Sequence, residues 1–269
     1  ILGLFGFAVL GRAADDLTSI HPRMAGTSAA IVTNGVKWID GSELPIEGRG
    51  FSDTERPYDR LPAEISTNVN RGVRSLKHET AGLRLAFVTD SRRIHLRWMP
   101  SSTRRIMDNM PATGHSAFDL YARGKDGVWR YRKTARIPVL QKGGSFVTDW
   151  TPGVPCLIYF PLYNGLSWFR LGIDETADVR PLPPRTDGVT RPVVFYGTSI
   201  TQGGCASRPG MSFVNIVGRD LDVPVVNLGF AGSGRMEIEM ADLLARIDAS
   251  CYVLDCLWNM NSALVATRY

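Results

Sequence analysis

Three runs in the last part of the chain are apolar almost without interruption: PVVFYG (192–197), VPVVNLGF (223–230) and CYVLDCLW (251–258). Between them lie two segments with helical spacing. MSFVNIVGRDL (211–221) puts Phe213, Ile216, Val217 and Leu221 on one side, and MEIEMADLLARI (236–247) does the same with Ile238, Leu243, Leu244 and Ile247. A strand with no polar face needs cover on both sides, and strands joined through helices pair in parallel. This region is therefore restricted to a helix-covered parallel sheet. Ligands of such sheets bind beyond the carboxyl ends of the strands. Each run here ends in a polar or glycine-containing segment: GTSITQGG (197–204), NLGFAGSG (227–234) and NMN (259–261).

The preceding residues follow a different rule. LRLAFVTD (83–90), RIHLRWM (93–99), AFDLYARG (117–124), VWRYRKT (128–134), CLIYFPLY (156–163) and SWFRLGI (167–173) are short and rich in β-branched and aromatic residues. Several alternate apolar with polar. Turn signals such as Lys125-Asp126-Gly127 and Asn164-Gly165 separate them. Short strands at this spacing predict an all-β sandwich over 31–175. The proline-dense stretch 176–191 reads as a linker, and 192–269 as the α/β unit. The aromatics Trp98, Trp129, Tyr131, Tyr163 and Trp168 offer a second use for the sandwich, a face on which sugar rings stack, although alternation puts several of them in a core.

Composition excludes some functions. The 269 residues carry a formal net charge of +5, and the basic residues are scattered rather than gathered in a stripe with aromatics, so no nucleic-acid partner is expected. The start, ILGLFGFAVLGRAADD, has the apolar run and small-residue zone of a secretory signal, and residues 1–14 are read as part of one. Secretion or export to a periplasm is the corresponding expectation. The run is too short to span a bilayer. Export permits disulfides, but Cys251 and Cys256 fall on opposite faces of one strand and cannot pair, and no Cys/His cluster has zinc spacing. Buried free thiols are expected for most of the four cysteines, at 156, 205, 251 and 256.

Ester cleavage needs a nucleophilic oxygen, donors aimed at the oxyanion and a base. Ser199 on the tight turn after the first run supplies the oxygen and an N–H. A glycine lets backbone N–H approach an oxyanion with no Cβ in the way, and an asparagine adds a neutral donor. These segments resemble the blocks of the SGNH (GDSL-type) hydrolases. The first block, G-D-S in that family, reads Gly197-Thr198-Ser199. Gly232 matches the oxyanion glycine of the second block. The third block, G-x-N-D, reads Leu257-Trp258-Asn259-Met260, which keeps the asparagine alone. The sandwich region carries SAFDLYARG (116–124), similar to the G-x-D-L-Y motif of one branch of the superfamily, with Ala117 in the glycine position.

The resemblance implies an all-β sandwich followed by a three-layer, flavodoxin-like α/β hydrolase domain. It implies a serine esterase with Ser199 as nucleophile and Ser199 N–H, Gly232 N–H and Asn259 as oxyanion donors. Deacetylation of a carbohydrate is the expected reaction, with neither metal nor organic cofactor. The family's D-x-x-H block is not found. The four histidines, His21, His78, His95 and His115, all precede the linker, so the sequence reads as a fragment whose hydrolase domain is incomplete. Ser199 could otherwise be a turn or capping serine, and Gly229, Gly232 and Gly234 a phosphate turn, although GFAGSG does not fit G-x-G-x-x-G. Asp119 and Tyr121 are expected to stabilise packing and turns, and His115 to be an exposed loop residue. A non-catalytic carbohydrate-binding protein that works through its sandwich is the alternative.

Overall fold

The computed structural model describes residues 30–138 and 141–268. The stretch read as a signal, 1–14, lies outside them. Alternation works as expected in β5 (Arg93–Pro100): Ile94, Leu96 and Trp98 turn inward while Arg93 and Arg97 face water. β5 belongs to an antiparallel sheet in the order β1 (Ile31–Thr33), β2 (Val36–Asp40), β10 (Leu166–Asp174), β5, β8 (Gly144–Asp149). A second antiparallel sheet runs β11 (Val179–Pro181), β4 (Arg84–Thr89), β9 (Cys156–Tyr159), β6 (Phe118–Arg123), β7 (Trp129–Ala135), with β3 (Ile46–Glu47) paired to β4. Inward residues of both sheets form one apolar cluster, among them Leu85, Ile94, Trp98, Phe118, Ile158 and Phe169. β9, central in its sheet, is buried throughout, whereas edge strand β7 exposes Arg130, Arg132 and Lys133, charges that discourage edge-to-edge pairing.

The three apolar runs form a parallel sheet in the order β13 (Val225–Gly229), β12 (Val193–Gly197), β14 (Cys251–Asp255). Helix α4 (Phe213–Asp220) is buried through Val214, Asn215 and Gly218. The expected face is therefore rotated: Phe213 and Val217 pack at its border and Leu221 is exposed. Leu221 follows the last helical residue, so nothing carries its side chain back onto the sheet. Helix α5 (Ile238–Leu244) buries Met240, Leu243 and Leu244, but Ile238, its first residue, points to solvent.

One face of this sheet is covered from an unexpected source. Sequence alone placed all of 31–175 in the sandwich. The stretch between β3 and β4 leaves it, and Phe51, Leu61, Val69 and Val73 join Val194, Tyr196, Val226, Leu228 and Phe230 in a single cluster. Val73 sits on α1 (Arg71–Leu76). All four cysteines are free, but the expectation of burial holds for Cys156 and Cys256 alone; Cys205 and Cys251 are exposed. Among the described residues no helix is long and apolar enough to cross a membrane.

Candidate active site

Register brings the three strand ends level: Gly197 pairs with Gly229 on one side and with Asp255 on the other. Thr198, fully buried, accepts the Ile200 N–H with its hydroxyl at 3.2 Å and so caps the short helix α3 (Ser199–Gln202). Ser199 thus opens a helix directly beyond the central strand. Thr198 stands where the family motif has Asp, and a hydroxyl performs this capping as a carboxylate does. Tyr163 holds the turn from the sandwich side, donating its hydroxyl to Ser199 O at 3.2 Å.

The loop after β13 is folded against the same edge. Phe230 N donates to Gly197 O at 2.9 Å, and Ser233 N and Gly234 N both donate to Phe230 O at 3.0 Å. Gly232 takes the left-handed region at φ +66, is exposed, and its carbonyl accepts from Arg235 Nη2 at 3.0 Å. Gly229 lies so close to α3 that a Cβ there would collide with the backbone of Gln202. Asn259 ends the 3-10 turn Leu257–Asn259 after β14 and donates from Nδ2 to Gly234 O at 3.2 Å. Ser199, Gly232 and Asn259 therefore sit on three segments gathered at one edge, with Asn259 bonded two residues from Gly232.

Several residues of this edge were not found from sequence. Asp255 is the last residue of β14 and accepts from Thr201 Oγ1 at 2.8 Å. Asn227 interrupts an otherwise apolar run, the one local signal available. Its side chain donates to Thr201 O at 2.8 Å and accepts from Gly229 N at 2.9 Å. Arg60, 2% exposed, comes from the stretch between β3 and β4. It donates to Glu79 O at 2.7 Å, Leu76 O at 2.8 Å, Gly229 O at 2.7 Å and Asn227 O at 3.2 Å, and lies over the Phe230 ring. Burial lowers its pKa to about 10, which leaves it a cation at neutral pH. Nothing local to the sequence around Arg60 announces partners more than 160 residues away.

His115 is a correction. It is 2% exposed at the end of α2 (Ala112–Ser116), where Nδ1 pairs with Ser116 Oγ at 2.8 Å and the ring stands 6.2 Å from that of Tyr163. Burial, with Arg104 adding to it, drops its pKa to about 4, so the ring is neutral. Asp119 and Tyr121 fulfil their expected structural role across the junction. Asp119, fully buried, accepts from Thr134 Oγ1 at 2.6 Å, Arg208 Nη1 at 2.9 Å and Gly210 N at 2.9 Å, and Arg208 also donates to Tyr121 OH at 2.5 Å. The motif thereby anchors the loop that follows α3. Away from this edge, carboxylates of Glu55 and Asp59 lie within 4.8 Å of His78, but Lys77 Nζ is 3.1 Å from Glu55 and His78 Nδ1 is 2.8 Å from Asp59, so these groups already have partners in one another.

A sandwich sharing its interior segment with a parallel sheet, whose polar strand ends converge at one edge, defines a two-part α/β architecture. Residues 36–179 match the family model GxDLY, described as the N-terminus of Esterase_SGNH_hydro-type, and residues 190–269 match the GDSL-like Lipase/Acylhydrolase family. The chain belongs to the SGNH-hydrolase-type esterases that carry this GxDLY domain. A solved structure from Bacteroides ovatus assigned as a GDSL-like lipase is 28% identical over 87% of this chain and 68% of its own, at a TM-score of 0.76. The salicylyl-acyltransferase SsfX3 of a tetracycline biosynthetic pathway shares the fold at 18% identity and a TM-score of 0.60, covering 83% of this chain and 62% of that one. A family two carbohydrate esterase from Cellvibrio japonicus matches at 13% identity, a TM-score of 0.44, and 75% and 54% coverage. No curated protein matches the chain.

Proposed function

We propose that this protein is a secreted serine esterase that removes an acetyl group from a carbohydrate, with Ser199 as its nucleophile. The bond from Asn259 Nδ2 to Gly234 O carries the reading, because it ties the third strand end to the loop of Gly232 beside the Ser199 turn. In this reading Ser199 Oγ attacks the ester carbonyl, the carbonyl π electrons move onto oxygen, and the Ser199 N–H, the Gly232 N–H and the second Asn259 Nδ2 hydrogen receive the oxyanion. Collapse of the tetrahedral intermediate expels the sugar alcohol, and water then releases acetate from the acyl-serine. The serine proton requires a base. His115 is not assigned that role, since its side-chain hydrogen bond goes to Ser116 Oγ and none joins it to the Ser199 hydroxyl.

The flavodoxin-like layout of the hydrolase domain belongs to the same proposal and is supported by the order β13-β12-β14. Export rests on residues 1–14, and the carbohydrate on the family resemblance. The alternative of a sugar-binding sandwich loses its aromatic face: Trp98 and Tyr163 are buried, while Trp168 and the pair Trp129 and Tyr131 stand on different sheets.

The test is turnover of an aryl acetate and of acetylated xylan by the full-length protein. Ser199→Ala should cut both by on the order of 10⁴-fold or more with the fold retained. Unchanged turnover in this variant would refute the nucleophile; hydrolysis of the aryl ester without the polysaccharide would refute the substrate class alone.

A further inference from the structure

Gln202 stands one helical turn beyond Ser199 and is fully buried. Both ends of its amide are engaged. Oε1 accepts the Ala231 N–H at 2.9 Å, while Nε2 donates to Leu162 O at 3.1 Å and to the Glu79 carboxylate. The partners fix the orientation of the amide, because a backbone N–H can only donate and a backbone carbonyl can only accept. Ala231 immediately precedes Gly232. Leu162 lies between β9 and β10, and Glu79 in the stretch that precedes β4. One side chain thus joins the nucleophile helix, the Gly232 turn and the sandwich side of the molecule.

No other side-chain type of this size does the same. A carboxylate cannot donate to Leu162 O, and an apolar side chain leaves the buried Leu162 O and the half-buried Ala231 N and Glu79 without this partner. The surroundings are built to hold Glu79 itself. Its backbone carbonyl accepts from Arg60 Nε, and burial raises its pKa against the opposing pull of Arg60, Gln202 and Arg104. The turn carrying Gly232 is otherwise held by Phe230 N on Gly197 O, by its own bonds to Phe230 O, by Arg235 on Gly232 O and by Asn259 on Gly234 O.

We propose that Gln202 is a positioning residue that sets the Ala231–Gly234 turn against the Ser199 helix, with Glu79 fixing its amide from the sandwich side. The inference rests on the reading of Ser199 and Gly232 as site residues. It assigns to the GxDLY part of the chain a share in placing the Gly232 N–H, beyond its docking contacts.

Four variants of the full-length protein test it: Gln202→Met, Glu79→Ala, Glu79→Gln and Ser199→Ala. Gln202→Met should lower kcat on an aryl acetate by about 10²-fold, the cost of a displacement of about 1 Å at a reacting centre, with KM changed by less than about threefold. Glu79→Ala should shift kcat in the same direction by less, and Glu79→Gln, which restores an acceptor for Nε2, should recover most of it. Amide hydrogen exchange of the 230–234 segment should speed up in Gln202→Met and Glu79→Ala and not in Glu79→Gln. That measurement is independent of turnover, so it decides the matter if one variant folds poorly or if the aryl ester is not a substrate. Unaltered exchange and kcat in both Gln202→Met and Glu79→Ala would overturn the proposal. So would equal defects in Glu79→Ala and Glu79→Gln. Turnover surviving in Ser199→Ala would instead refute the nucleophile and leave the positioning of the turn to be judged by exchange alone.

Discussion

In the sandwich, Ile94, Leu96 and Trp98 of one sheet meet Leu85, Phe118 and Ile158 of the other, so each sheet is the cover of its partner. In the parallel sheet, Val194, Tyr196, Val226 and Leu228 meet Met240, Leu243 and Leu244 of the following helix, and also Phe51, Leu61, Val69 and Val73 of a segment more than 100 residues upstream. The sandwich core is filled mainly by the strands that define it, with Tyr58, Trp150 and Phe160 added from the connections. The parallel sheet borrows part of its cover, and with that cover come Arg60 and Glu79, whose polar groups reach the ends of β13 and α3. The same excursion that fills a core therefore also builds a wall of the candidate site. Residues that cover a hydrophobic face and residues that hold a polar edge arrive on one segment because the strand ends and the sheet face adjoin.

The sharpest way to break the contrast is a matched pair of cavities. Phe118→Ala in the sandwich should cost about 3–5 kcal/mol, and Leu61→Ala in the borrowed segment about 2–5 kcal/mol, since both side chains are fully buried. Their exchange patterns should differ. Leu61→Ala should raise amide exchange in Val193–Gly197 and Val225–Gly229 first, and Phe118→Ala in the sandwich strands. Identical patterns in denaturant titrations followed by hydrogen exchange would mean one cooperative unit, and the distinction between a self-covered and a borrowed core would fall.

A smaller effect sharpens the account of the site. Asn259→Ala should lower kcat by on the order of 10²-fold, the usual size for one lost oxyanion donor. Because Asn259 lies on the short turn directly after β14 and outside both cores, the melting temperature should move by no more than a few degrees. Steady-state kinetics beside a thermal melt separates the two. A large loss of stability with unchanged kcat would make Asn259 a strut for Gly234 rather than a donor.

The smallest effect concerns the junction, where His115 is held neutral. Its folded pKa, about 4, lies below the ordinary value of 6.5. Between these values the unfolded chain binds the proton that the folded one does not, so stability rises with pH across this window. The contribution is complete above about pH 6.5, is lost as pH falls toward 4, and is constant below that. Its size is roughly 1–3 kcal/mol. Chemical denaturation at pH 7 and pH 4.5 should show this increment in the wild type and its loss in His115→Asn. Equal pH dependence in the two proteins would show that the imidazole protonates freely in the folded state.

Much of the architecture was legible because it depends on periods of two and of near-continuous hydrophobicity. The inward set of β5 could be written down from RIHLRWM, and the three parallel strands with the polar segments at their carboxyl ends from VVFYG, VVNLG and CYVLD and the residues that follow each. The position of Ser199 at the start of a helix beyond the central strand was legible because a serine after a buried strand and before a glycine pair has few places to go. The helix faces were displaced by about one residue, at Val214 and Leu221, because the period fixes spacing but not which side the sheet lies on.

Local pattern cannot encode a partner distant along the chain, and that is where the tertiary structure decided. Phe51, Leu61 and Val69 look like ordinary apolar residues of a loop-rich stretch until the parallel sheet supplies the face that they cover. His115 looks like a loop histidine until Tyr163 and Ser116 surround it. Arg60 is a surface-type residue by composition, and its burial is tolerable because four backbone carbonyls, contributed by segments on both sides of the junction, replace the water it gives up. Periodicity determined which segments are strands and which ends are polar. Which segment covers which face, and so which side chains support the strand ends, followed from the need to bury apolar area and pair every polar group at once.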